Sequence, residues 1–259
     1  MLIQHKQCKI ELMADPTTTI LAFIVGMCAS FVGSQVGGGG SISIPSMILL
    51  GLPSHSAIAV HRVATLFGAA PSLRNYSKAG KIKWEYTVPF MIIFLLGGVT
   101  GAEMMLSIDA DILKKGLGIA IMLPLFFLFN SEFGIKNKIT SHKKKLIGYF
   151  CVFIISIWSG IFPGGGMTLT MYVLVFFFGF TFIESKATMI VPKILSRVVV
   201  MIIFILEGIV VWSYAIPLGL GYIIGAHIGS KTAIKKGDKW VRVLLAFVVS
   251  ALSVKLIFF

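Results

Sequence analysis

Apolar residues run along this chain in ten blocks: 17–34, 41–52, 57–77, 84–106, 112–130, 146–163, 167–183, 187–209, 212–231 and 240–259. Most are long enough, as helices, to cross a hydrocarbon core about 30 Å thick. The pattern predicts an all-α integral membrane protein of about ten hydrophobic segments. Block 41–52 is an exception, since as a helix it rises only about 18 Å. The one long polar stretch, Asn130 to Lys145, splits the blocks five and five. The chain therefore divides into an N-terminal tail (1–16), a first repeat (17–130), a linker (131–145) and a second repeat (146–259).

The two halves match each other. "GKIKWEYTVP" from Gly80 recurs as "GIVVWSYAIP" from Gly208, with Gly, Trp, Tyr and Pro at one offset of 128. At that offset Gly97 and Gly101 meet Gly225 and Gly229, each pair a GxxxG helix-packing motif. The glycine run at 37–40 is echoed by "FPGGGMTLTMY" at an offset of 126.

Composition and charge then orient the halves. The chain is 57% hydrophobic and only 13% charged, with a net charge of +13. Its basic residues cluster in the gaps between apolar blocks, which points to cytoplasmic loops rather than to nucleic acid. The turn "RNYSKAGKIKW" is basic, whereas its repeat partner "LEGIVVW" carries only Glu207; the next turn reverses the bias. Equivalent loops of opposite bias belong on opposite sides of a membrane. Five segments per half is an odd number, so the repeats read as inverted, with the linker cytoplasmic and both termini outside. Cys8, Cys28 and Cys151 are too dispersed for a disulfide framework or metal site. The N-terminal stretch lacks a cleaved-signal pattern, so the first segment reads as retained, and the absence of internal targeting features fits a bacterial inner membrane.

Four consecutive glycines cannot favour a helix in lipid. Non-helical backbone survives at membrane depth only inside protein or beside a watery cavity. Gly-broken segments at matching positions of two inverted repeats point to a transporter's central site. A helix restarting after Gly38, Gly39 and Gly40, or after Gly164, Gly165 and Gly166, presents free amides and a partial positive charge to an anion. Ser41, Ser43, Thr168 and Thr170 can cap these ends or donate to a ligand. The competing reading is close helix packing, with glycines letting backbones touch.

His61 and Arg62 lie within the third block, and Lys193 and Arg197 within the eighth. Ionisable groups this deep are expensive and mark functional sites by default. Lys193 is the repeat equivalent of Thr65, and His61 lies one turn before Thr65 on the same face. These cations lack a nearby carboxylate in sequence, which favours an anionic ligand; snorkelling to an interface is the alternative for Arg62 and Arg197, and a neutral core imidazole for His61. Glu184, Lys186 and Glu207 fall near segment ends and read as interfacial.

"SQVGGGGSISIPSMILLGLPSHSAIAVHR", with its looser echo "SGIFPGGGMTLTMYVLVFFFGF" and "ESKATMIVPKILSR", resembles the TauE/SafE sulfite-exporter family, the TSUP permeases, over nearly the whole chain from Ile20 to Phe259. The resemblance implies a secondary carrier for sulfur-containing anions such as sulfite or organosulfonates, with no cofactor. His61-Arg62 stands where small or hydroxylated residues are common in the family, and "FPGGG" departs from its GxGGG-like run.

The expectation is alternating access around a central anion site. His61 would suit proton coupling; sodium coupling and uniport stay open, as does oligomeric state. An anion channel shares every feature above. An intramembrane enzyme is the rival from another class, resting on Asp109-x-Asp111, although Asp109 could simply cap the next helix. No HExxH, GxSxG or P-loop lysine supports it.

Overall fold

The computed structural model describes residues 15–117 and 142–258. Most of the N-terminal tail, of the fifth apolar block and of the linker lies outside the described residues. Among those described there is no β-strand.

The first half holds α1 (Pro16–Val36), α2 (Gly39–Leu49), α3 (Ser54–Lys78), a 3₁₀ turn (Trp84–Tyr86), α4 (Thr87–Ser107) and α5 (110–117). The second holds α6 (His142–Ile161), α7 (Gly166–Phe178), α8 (Phe182–Thr188), α9 (Ile190–Leu206) and α10 (Trp212–Phe258). α10 is interrupted at Gly237, whose φ of 77° is not helical. Two sequence boundaries differ from expectation. Block 187–209 has its own helix, α9, preceded by the seven-residue α8, because Thr181 and Glu184 form a capping box that starts a helix early. Blocks 212–231 and 240–259 join in α10 on either side of Gly237.

By length and composition, three described helices suit a membrane crossing: α1, α4 with its 3₁₀ turn, and α6. α7 and α8 together form a span bent by 113°. α2 has 11 residues, rising about 16 Å, and cannot cross alone. α3 is long but carries His61, Arg62 and many small polar residues, most of them buried. Its neighbours are protein rather than lipid, which is how a span tolerates such residues.

Equivalent positions of the two sequence halves share several backbone and packing features. Gly38 and Gly165 are both left-handed N-caps, of α2 and α7, with φ of 74° and 79°. Gly80 and Gly208 have φ of 63° and 66°. The main helix contacts are exchanged between halves: α1 packs on α10, and α6 on α4. A Cβ on Gly101 would run into the Ile157 carbonyl on α6, and one on Gly229 into the Phe31 carbonyl on α1. Each GxxxG helix of one half thus presses its backbone on the first helix of the other.

Loops gather at two ends. At one, Lys83 pairs with Glu184 at 3.0 Å, the Lys83 amide donates to Thr188 Oγ1, and Asp238 accepts from the amides of Phe182 and Ile183. At the other, His55 Nε2 meets the Ile108 carbonyl and Tyr214 donates to the Leu50 carbonyl. One apolar cluster, with Met47, Leu52, Leu113 and Phe204, fills the second end; another, with Tyr76, Phe90, Phe178 and Ala233, fills the first.

Candidate functional site

The two glycine breaks touch. Thr168 Oγ1 donates to the Val36 carbonyl at 3.2 Å, and a Cβ on Gly40 would stand 3.0 Å from the Pro163 carbonyl oxygen. Only glycine lets the start of α2 approach this closely. Beside the contact lies a cavity of about 120 Å³, walled by α1, α2, α3, α4, α6, α7, α8, α9 and α10. A water needs about 10–15 Å³ by the same measure, so the space suits one small solvated anion rather than a drug-sized molecule.

Of the residues expected at the site, the cavity is lined by Gly38, Gly39, Gly40, His61, Arg62, Thr65, Lys193 and Arg197. Helix α3 supplies His61, Arg62 and Thr65, and α9 supplies Lys193 and Arg197, each set on one face by the 3.6-residue period. Ser43 stands behind the wall: its Oγ lies 2.7 Å from His61 Nδ1, and Tyr222 Oη lies 3.1 Å from the same nitrogen. Ser41, Gly164, Gly165, Gly166, Thr168 and Thr170 are outside the lining. Thr170 donates to the Gly166 carbonyl and Ser43 to that of Gly39, the same i−4 bond in each half. The N-terminus of α2 therefore borders the cavity directly, whereas the first turn of α7 reaches it through Met167, beside Ser159 and Pro163.

The cavity wall also includes residues that the sequence reading passed over. Lys186 lines it and donates to the Gly33 carbonyl at 2.7 Å. Its spacing to Lys193 and Arg197, i, i+7 and i+11, was a legible stripe, hidden by its place near a block end. Tyr222, Ser30, Ser159 and Ser196 complete much of the polar wall; single hydroxyls in apolar helices carry no spacing signal.

Four basic side chains thus face one small space: Arg62, Lys186, Lys193 and Arg197. Among the described residues no Asp or Glu lines it, and none of the four forms an ion pair. Arg62 is spoken for in part, because its Nη2 donates to the carbonyls of Ser159 and Gly160 at the C-terminal end of α6. Lys193 has the face of Phe94 at 4.7 Å. Neither Lys193 nor Arg197 donates a hydrogen bond to a described residue. Buried like charges repel unless something negative joins them. An anion at the N-terminus of α2 supplies that charge.

Among the described residues no group of three or more His, Cys, Asp or Glu is placed to hold a metal ion. Asp109 accepts from the Asp111 amide at 2.9 Å, as a residue opening a helix does.

The family profile described as "Sulfite exporter TauE/SafE" matches residues 22–256. The chain is similar to "Probable membrane transporter protein ORF9" of Sinorhizobium sp, at 28% identity over 95% of both chains. It is similar to a "Probable membrane transporter protein" of Haemophilus influenzae, at 25% identity over 92% of this chain and 94% of the relative. It also resembles "Probable membrane transporter protein YfcA" of Escherichia coli K12, at 24% identity over 95% of this chain and 92% of that one. No solved structure matches the chain.

Proposed function

Since the chain belongs to the sulfite exporter TauE/SafE family, we propose that this integral membrane protein, a transporter and not an enzyme, is a secondary carrier for small sulfur-containing oxyanions such as sulfite or organosulfonates. The observation that carries the substrate charge is the set of four cations lining one carboxylate-free cavity. Two of them, Lys193 and Arg197, are left to meet a ligand, with the N-terminus of α2 beside them. Ser43 and Tyr222 hold the His61 ring that abuts Gly40. The sulfur in the substrate comes from the family's description; the charge and small size come from the cavity.

The mechanism we infer is alternating access by rocking of one half against the other around this site. The exchanged packing of α1 on α10 and α6 on α4 supports two related bodies. Equivalent glycine turns near opposite loop clusters, Gly80 by Lys83 and Gly208 by Tyr214, support an inverted relation. The end carrying Lys83, Lys145 and Asp238 is also the lysine-rich one, and it reads as cytoplasmic in a bacterial inner membrane. Flux under imposed H⁺ or Na⁺ gradients distinguishes the coupled carriers from a uniporter.

Purified protein in detergent, melted with sulfite, sulfate, thiosulfate, sulfoacetate, taurine and chloride, tests the proposal. A saturable upward shift with a sulfur anion, lost in Lys193→Ala, is expected. Shifts with none of these anions would overturn it. In liposomes a carrier gives slow, saturable flux; ohmic single-channel currents would convert the reading to an anion channel.

A further inference from the structure

Two donors in the cavity wall have no partner. Arg62 is only 7% exposed, and its Nε is fully buried without a hydrogen bond. The Ser159 hydroxyl is likewise buried and unpaired. Both residues line the cavity. Buried donors left unmet are rare and costly in native proteins, and each calls for a cause.

They also belong together. Arg62 is anchored beside Ser159, because its Nη2 donates to the Ser159 and Gly160 carbonyls. The Ser159 hydroxyl lies against Gly166, where any Cβ would collide with it. Gly166 is the first residue of α7, whose left-handed cap Gly165 supplies no side-chain hydrogen bond. One guanidinium N–H, one hydroxyl and one uncapped helix N-terminus are therefore grouped at the second glycine break.

We propose that Arg62 Nε and Ser159 Oγ form an oxyanion subsite at the N-terminus of α7, and that Ser159 is a ligand-binding, specificity-setting residue of this carrier. The inference rests on the anion-transport reading above. One oxygen of a sulfite, sulfate or sulfonate group accepts from both donors, while Lys193 and Arg197 take the remaining charge. The subsite exists once only. At the offset of 126 the counterpart of Ser159 is Gly33, which has no hydroxyl. The ligand's oxygen is thereby drawn to the α6–α7 break, and the two halves of a pseudo-symmetric cavity become unequal.

The test compares wild type, Ser159→Ala and Lys193→Ala for sulfite binding and for melting without ligand. Ser159→Ala is expected to weaken sulfite about tenfold, as befits a hydrogen bond to a charged group. Its ligand-free melting temperature should be unchanged or raised, because the variant deletes an unmet buried donor. Unchanged sulfite affinity in Ser159→Ala, with binding still lost in Lys193→Ala, would overturn the subsite and leave the transport reading standing. A fall of several degrees in the ligand-free variant would mean a structural hydroxyl and also overturn it. If wild type binds no anion, both fall together.

Discussion

Lys186 and Arg62 clasp the two halves of the protein in opposite directions. Lys186, in the second half, donates to the Gly33 carbonyl near the end of α1. Arg62, in the first half, donates to the Ser159 and Gly160 carbonyls near the end of α6. Gly33 and Ser159 are repeat equivalents, 126 residues apart. Each cation meets the partial negative charge of the helix that leads into a glycine break, where positive charge is favoured.

The clasps differ from the free cations in what their removal does. Lys186→Met removes one of the two donors to the Gly33 carbonyl, which keeps the Gly37 amide, and should cost about 0.5–1.5 kcal/mol, read as a lower melting temperature. Lys193→Met removes a charge with only the Phe94 face against it. It should leave the ligand-free melting temperature unchanged or higher while abolishing anion binding. The same loss of stability in both variants would erase the distinction.

Glycine substitutions separate packing from binding. Gly101→Ala forces a Cβ into the Ile157 carbonyl and Gly160, and should destabilise by about 1–3 kcal/mol. Gly38→Ala meets nothing within 4 Å, but holds φ of 74° at the edge of the cavity. It should cost about 1–2 kcal/mol from the left-handed backbone and weaken anion binding as α2's first turn relaxes. Melting curves and sulfite titrations on both variants read the two effects apart.

Asp238 caps α8, accepting from the Phe182 and Ile183 amides at 3.1 and 2.9 Å. Asp238→Ala should therefore destabilise by about 1 kcal/mol. Lys83→Ala, by contrast, breaks a Lys83–Glu184 pair whose side chains are 43% and 23% exposed, and should change stability by less than about 1 kcal/mol. A larger loss in Lys83→Ala than in Asp238→Ala would mean that the ion pair, not the cap, holds α8.

Tyr222→Phe removes the hydroxyl 3.2 Å from Ser43 Oγ and 3.1 Å from His61 Nδ1. Ser43 keeps its own 2.7 Å contact with that nitrogen, so the ring stays placed. The expected result is a modest loss of stability, about 0.5–1.5 kcal/mol, with sulfite affinity within about threefold of wild type. Ser43→Ala with Tyr222→Phe frees the ring entirely and should weaken binding further than either change alone, a coupling that a double-mutant cycle measures.

Much of this protein was legible in one dimension. Helical class, the segments bounding α1, α3, α4 and α6, the doubled pattern and the two glycine breaks follow from hydropathy, propensity and spacing, which act over a few residues. Helix periodicity likewise put His61 with Thr65, and Lys193 with Arg197, on shared faces before any fold was known. The tertiary structure decided which of those faces meet. It brought Lys186 from an apparent segment end to the cavity, because the capping box at Thr181 starts α8 early and the bend after α7 turns it inward. It set Thr168 and Thr170 on backbone carbonyls outside the lining. It also left Arg62 Nε and the Ser159 hydroxyl buried without partners. Those outcomes depend on contacts between residues about a hundred or more positions apart, and packing of that range leaves no period in the sequence.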